Sequence, residues 1–474
     1  MKYTLSMDVF THGKMFNSSG KFFHKIGNKI KLFPYITGTS DDAIIDLSPL
    51  IGAVLCGIED VKPAQISPDE LINNLEENTD IEPGDEDLFK ETMQTLFFDS
   101  QDRIRPLSLK MLEQIPCDDN ARCRDLVKYL VDVLGNKQEL KDSLQDSHKN
   151  SLNSGNVLEK LVLSHLEGST IFNKKDQLTK TDIPYFRVIN SLNRVFVSDF
   201  KYVIQNQRRA KEYLVKLFEF YYFTYTAQTI LQLNRFFEGE REKIVPLYFC
   251  LNWEKTSQSR RCFERGWQVL QRSTEKMFAH VVTLELLNHT SDESVKVDYI
   301  GLKEIVDANL NSDGKIAEEI IQLTEVYKQL ITDCNKEMNE IELHNENSGT
   351  SKTAEAVKYL FNNVKTQFEN STRERAYNSY SSKFENFCKE KFLKKRGRSG
   401  WMLNLSEETL IFLTKLSIKD KPQLHLKEVF REMEARGIYL DDLSKDQAAN
   451  YYEKLNLIEK KSDSGDAKYV KRIL

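Results

Sequence analysis

The densest group of residues able to do chemistry lies in "VPLYFCLNWEKTSQSRRCFERGWQVLQRS" (245–273). There Arg260, Arg261, Arg265 and Arg272 accompany Trp253, Trp267, Glu254, Lys255 and Ser259. A guanidinium forks a carboxylate or a phosphate bidentately, and tryptophan anchors interfaces. Arg260, Arg261 and Arg265 are therefore candidates for phosphate or partner contact. The plainer reading is a helix corner, with the tryptophans in the core and the arginines paired to local acids such as Glu240 and Glu242.

A second group is basic. "KEKFLKKRGRSGW" carries Lys389, Lys391, Lys394, Lys395, Arg396 and Arg398 against Glu390, and the final residues add Lys460, Lys461, Lys468, Lys471 and Arg472. On a chain of net charge −5, phosphates can be met only by local patches such as these. The candidate DNA contacts are Lys394, Lys395, Arg396, Arg398, Lys460, Lys461, Lys468, Lys471 and Arg472, with Lys445, Gln447 and Asn450 on the preceding helical segment. Asp463 and Asp466 flank the last turn and would repel phosphate, which favours protein docking instead.

The motifs of catalysis are incomplete. In "NSSGKFF" Met15 stands where a phosphate-cradling loop needs its first glycine, and Phe22 replaces the hydroxyl residue. The eight histidines (12, 24, 148, 165, 280, 289, 344 and 425) form no His-Glu-x-x-His and no close pair. Glu459 and Lys461 have the Glu-x-Lys spacing of some metal-dependent nucleases, without a partner acid in a core sheet. No Gly-x-Ser-x-Gly occurs. The sequence reads as non-enzymatic, with no catalytic residue, cofactor or metal site.

The elements that must position these residues follow from pattern. At 474 residues, 40% hydrophobic and 29% charged, the chain calls for several globular domains. Seven scattered cysteines read as buried thiols, and the start "MKYTLSMDVFTHGK" lacks a signal peptide's apolar run, so a cytoplasmic location is expected. The stretch "AIIDLSPLIGAVLCGI" is broken by Asp46 and Pro49 and is too short for a membrane span.

The expected fold is mainly α with small β elements. A mixed α/β N-terminal domain (1–134), with strand-like pieces such as "KIKLFPYI", is followed by a linker (135–156) and a central helical bundle (157–342). In the bundle Phe218, Tyr222 and Tyr225 recur at helical spacing and read as core. A loop (343–353) and a helical connector with a basic end (354–398) lead to a C-terminal domain (399–474).

That last domain has the most consistent signals. Ser406 is a candidate N-cap for a helix carrying Leu410, Leu413 and Leu416. "QLHL" reads as a strand, and "KEVFREMEARG" as a helix burying Val429, Phe430 and Met433 and stopping at Gly437. Ser444 and Gln447 form a capping box, and two strands meet across Ser464-Gly465. Helix, strand, helix, helix, hairpin is the order of a winged helix, a helix-turn-helix variant, in which the third helix enters the major groove. Such a domain can equally dock a protein partner.

The stretches Gly397–Leu416, Leu426–Ser444 and Leu457–Val470, with "PLYFCLNWEKTSQSR" and "FRVINSLNRVFVSDFKYVI", resemble the G component of DNA-phosphorothioation-dependent restriction systems, the DptG/DndG family. The resemblance implies a non-enzymatic adaptor in bacterial antiviral defence. It would bridge F and H components with ATPase and helicase-like features, on double-stranded DNA that lacks the host's sulfur modification. The family pattern supplies no catalytic residues to carry over.

Overall fold

A computed structural model describes residues 3–7, 22, 24–36, 43–61, 68–98, 109–113, 120–154, 183–205, 210–331, 334, 351–371, 373–460 and 468–473. Residues 8–21, 23 and 37–42, the 343–353 loop up to residue 350, Cys117, Lys461 and the two aspartates of the last turn lie outside these residues. The fold is mainly helical with small sheets. Among the described residues no helix is long and apolar enough to cross a membrane. Cys56, Cys123, Cys250, Cys262 and Cys388 are buried thiols and Cys334 is half-buried.

The chain forms two compact units, each assembled from separated stretches. The first comprises Asp46–Asp182 and Leu192–Phe223. It contains α1 (Ile51–Glu59), α2 (Pro68–Glu77), α3 (Glu86–Phe97), the short α4 (Leu109–Leu112), α5 (Ala121–Val133), α6 (Lys137–Ser154), α7 (Asn193–Gln205) and the start of α8 (Ala210–Asn234). The apolar run of α1 ends at Asp60, which takes the left-handed conformation that a short polar side chain tolerates, and α1 packs on α5 and α6.

Helix α6 occupies most of the stretch whose polar composition suggested a linker. Leu140 and Leu144 are fully buried on one stripe, while the charged residues around them are solvated. Gly135 makes the turn into it with φ of +69°, and an added Cβ would sit 2.9 Å from Val197. In α8 the stripe Phe218, Tyr222 and Tyr225 is buried.

The second unit comprises Met1–Ile45, Ile183–Ser191 and Thr224–Leu474. Its N-terminal residues form only isolated bridges among the described residues, Leu5 with Thr290 and Lys31 with Tyr185, in place of the expected strands. They are held by a buried carboxyl group instead. In α11 (Met277–Leu287) the Glu285 carboxylate accepts N–H bonds from Gly27, Asn28, Lys29 and Ile30 at 2.9–3.4 Å. Burial raises the Glu285 carboxyl to about 7 against the pull of those donors. Glu285→Gln would turn an NH₂ group toward two of the N–H donors. The expected cost is roughly 1–3 kcal/mol, read as a lower denaturation midpoint.

At the centre of this unit is a four-stranded sheet ordered β2–β3–β1–β5. It is built from β1 (Leu247–Leu251), β2 (Leu393–Lys395), β3 (Trp401–Leu405) and β5 (Ile438–Leu440). Strand β1 pairs parallel to both β3 and β5, and β2 is antiparallel to β3. The continuous apolar run LYFCL suits a strand covered on both faces. The unit also contains α9 (Arg261–Glu264), α10 (Trp267–Thr274), α11, α12 (Tyr299–Ala308), α13 (Asp313–Leu330), α14 (Lys352–Glu369) and α15 (Glu374–Lys391), of which α9, α10 and α15 pack on the sheet.

The chain closes with α16 (Glu407–Ile418), β4 (Gln423–His425), α17 (Leu426–Glu434), β5, α18 (Asp442–Lys454), β6 (Ile458–Lys460) and β7 (Lys468–Lys471). Strands β4, β7 and β6, in that order, make an antiparallel sheet. Ser406 caps α16 by accepting the Thr409 N–H, and α17 buries Val429, Phe430 and Met433. The cap of α18 is Asp441, which accepts the Ser444 N–H. The helix therefore starts before the expected capping box, and the Ser444 hydroxyl is released for another bond.

Candidate functional site

The arginine-rich segment leaves β1 through a turn at Asn252–Glu254 and enters α9. Arg260 stands just before α9 and is buried. Its Nε donates to Asp441 Oδ2 at 2.9 Å and its Nη2 to Asp441 Oδ1 at 2.6 Å, a bidentate fork. Nη2 also reaches Ser444 Oγ at 2.9 Å and Glu254 Oε2 at 3.4 Å, and Nη1 donates to the Lys255 carbonyl. Glu254 in turn accepts the Leu251 N–H at 2.6 Å and the Ser444 hydroxyl at 2.8 Å. Burial pushes the Asp441 carboxyl up, but Arg260 and the Ser444 N–H outweigh it and hold the group below its ordinary value. Asp441 and, after it, Glu254 raise the Arg260 guanidinium.

Arg260 therefore joins the cap of α18 to the turn after β1, and its fork is filled from within the chain. Its acids are Glu254 and Asp441 rather than Glu240 and Glu242. Glu240 pairs with Lys243 and Arg235, and Glu242 accepts from Asn190. Arg261 and Arg265 are exposed, and Arg261 lies 5.8 Å over the Tyr248 ring. Trp267 is buried, and Trp253 packs 4.7 Å from the Tyr451 ring.

The basic segment splits in the same way. Lys394 bonds the carbonyl and the side chain of Asn252. Arg396 donates to the Leu251 carbonyl at 2.7 Å, Asn404 Oδ1 at 2.7 Å and the Glu254 carbonyl at 3.2 Å. Both fasten β2 to the neighbouring strands. Lys395, next along β2, and Arg398 are exposed and make no ion pair with a described residue.

Three of the remaining candidate cations have acidic partners. Lys445 pairs with Glu434 and lies over the Phe430 ring, Lys468 pairs with Glu453, and Arg472 pairs with Asp420. Lys460 stands opposite Lys468 in the β6–β7 register. Lys471 is exposed, its ammonium 3.5 Å from the Asn456 carbonyl. Gln447 is half-buried and Asn450 exposed on α18.

A different set of groups converges in the first unit. Glu59 ends α1, Glu113 follows α4, and His148 lies on α6; all three are buried. One ligand atom from each lies within 4.8 Å of the others. His148 Nε2 is 2.6 Å from Glu113 Oε1 and 3.6 Å from Glu59 Oε1. The Lys110 ammonium meets the opposite oxygens, Glu113 Oε2 at 2.9 Å and Glu59 Oε2 at 3.4 Å. Burial and then the Glu113 charge raise the Glu59 carboxyl, with Lys110 and His148 opposing them.

Nothing in the spacing of these three residues could have found the cluster, because each comes from a separate segment. The weak signal was the four-residue recurrence Leu140, Leu144, His148, which places the imidazole on the buried stripe of α6.

No protein-family model matches the chain, and a search of curated proteins also finds no match.

Proposed function

We propose that this protein is a non-enzymatic adaptor subunit of a bacterial phosphorothioation-dependent restriction complex. In this reading it bridges ATPase and helicase-like F and H components, works in the cytoplasm and contacts double-stranded DNA through its C-terminal region. The observation that carries the DNA part is the element order α16, β4, α17, β5, α18, β6, β7, with β4 joined to β7 in one sheet. We read it as a winged helix. The exposed Lys395 and Arg398 precede it, and Lys471 lies on its last strand. Cations whose charge is not already neutralised by carboxylates are the ones that can release counterions from phosphate.

A second reading is favoured by the ion pairs Lys445–Glu434, Lys468–Glu453 and Arg472–Asp420. A surface so neutralised suits docking of a protein partner, with the same fold and no DNA contact. DNA binding by the full chain, beside a variant carrying Lys395→Glu and Arg398→Glu, separates the two. Binding that the variant weakens supports the DNA-contacting adaptor, and no binding by either protein supports the scaffold. Lys394 and Arg396 are left intact because their removal would break the sheet rather than remove a phosphate contact.

A further inference from the structure

We propose that Glu59, Glu113 and His148 bind one divalent transition-metal ion, with zinc preferred over magnesium. The two carboxylates divide their oxygens between His148 and Lys110. Each carboxylate turns Oε1 toward His148 Nε2 and gives Oε2 to Lys110. Three lone-pair donors, two oxygens and one imidazole nitrogen, therefore face one point. The only cation beside them among the described residues is bonded to the far side of both carboxylates. Metal ligands are oriented in this way when their second oxygens are held by an outer partner.

The donor separations also fit an ion. An ion at about 2.0–2.2 Å from each donor needs donor separations of roughly 3–4 Å. The His148–Glu59 separation of 3.6 Å already lies in that range. The His148–Glu113 pair at 2.6 Å opens by less than an ångström when its hydrogen bond is exchanged for two metal bonds.

Charge and donor type favour a divalent ion as well. Two buried carboxylates facing one lysine leave a net negative charge away from water, which a divalent ion offsets. Imidazole together with carboxylate suits zinc, manganese or iron(II), whereas magnesium prefers an all-oxygen shell rich in water. Bound there, the ion would tie the end of α1, the residue after α4 and the middle of α6 into one joint. The rival is a metal-free network in which a protonated His148 closes the charge balance.

The test uses the full chain stripped with a chelator. Titration with Zn²⁺, Mn²⁺ and Mg²⁺ by calorimetry should give one equivalent of zinc bound, weaker manganese and no magnesium, with a higher unfolding temperature for the zinc form. His148→Gln and Glu59→Gln should each weaken zinc uptake at least about tenfold. Because a buried-site variant can fail to fold, Co²⁺ is added to the wild-type chain as a second measurement. Its visible spectrum should show oxygen and nitrogen ligation without the thiolate charge-transfer band that the cysteines would give. Failure of the stripped, folded chain to take up zinc overturns the proposal. So does uptake that both variants leave unchanged, or a cobalt spectrum dominated by thiolate.

Discussion

Arg260→Ala will destabilise the unit containing β1 by about 3–5 kcal/mol. The substitution removes a guanidinium that is 9% exposed, whose partners Asp441 and Glu254 are 9% and 2% exposed. Two carboxylates are then left facing each other without a counter-charge, which costs more than the ion pairs themselves contributed. Ser444 is deprived of a donor as well, so the first turn of α18 loosens with its cap. Arg260→Lys keeps the charge without the fork and should recover only part of the stability. All three tryptophans, Trp253, Trp267 and Trp401, lie in this unit. Tryptophan fluorescence during chemical denaturation therefore reads the effect directly, as a lower midpoint with an unchanged slope.

Deleting everything from Lys389 onward should be worse still. A chain ending at Cys388 lacks β2, β3 and β5, so β1 keeps neither neighbour. Leu247, Phe249, Cys250 and Leu251 are at most 2% exposed in the intact protein. Uncovering such side chains costs about 1.5–3 kcal/mol each, and together they approach the whole stability of an ordinary domain. Hydrogen exchange should show the β1 amides unprotected in the truncated chain, and its unfolding should lose cooperativity. Slow exchange there would mean that β1 is held from elsewhere. A deletion that abolished DNA binding would for this reason say little about DNA, and point changes at Lys395 and Arg398 are the cleaner tool.

The parts of the fold that were legible in the sequence are those set by local chemistry. Ser406 before a leucine-periodic run marked the cap and length of α16, and the spacing of Val429, Phe430 and Met433 marked the buried face of α17. The long-range pairings were not legible. "IYL" at 438–440 is three residues long, too short for a period to show, and its partner β1 lies far back in the chain. The Arg260–Asp441 fork spans 181 residues. At 135–156 composition pointed to a linker because a helix with a narrow apolar stripe is mostly polar by count. The functional residues divide along the same line. Local charge density singled out the arginines from Arg260 to Arg265 and the cations from Lys394 to Arg472 without ranking them. Only tertiary structure shows that Arg260, Lys394 and Arg396 are committed to the fold while Lys395, Arg398, Arg261 and Arg265 face solvent.

The DNA-contacting role is read most directly from duplex DNA binding by the full chain across a salt series, beside the Lys395→Glu, Arg398→Glu variant. Binding should weaken steeply between about 50 and 200 mM salt. The log–log slope should be shallower by about 2 in the variant, roughly one unit for each phosphate that is no longer neutralised. No binding by either protein would contradict a DNA-contacting role and leave the chain a scaffold for protein partners, whereas an affinity and slope that the variant leaves unchanged would show that Lys395 and Arg398 are not the phosphate contacts.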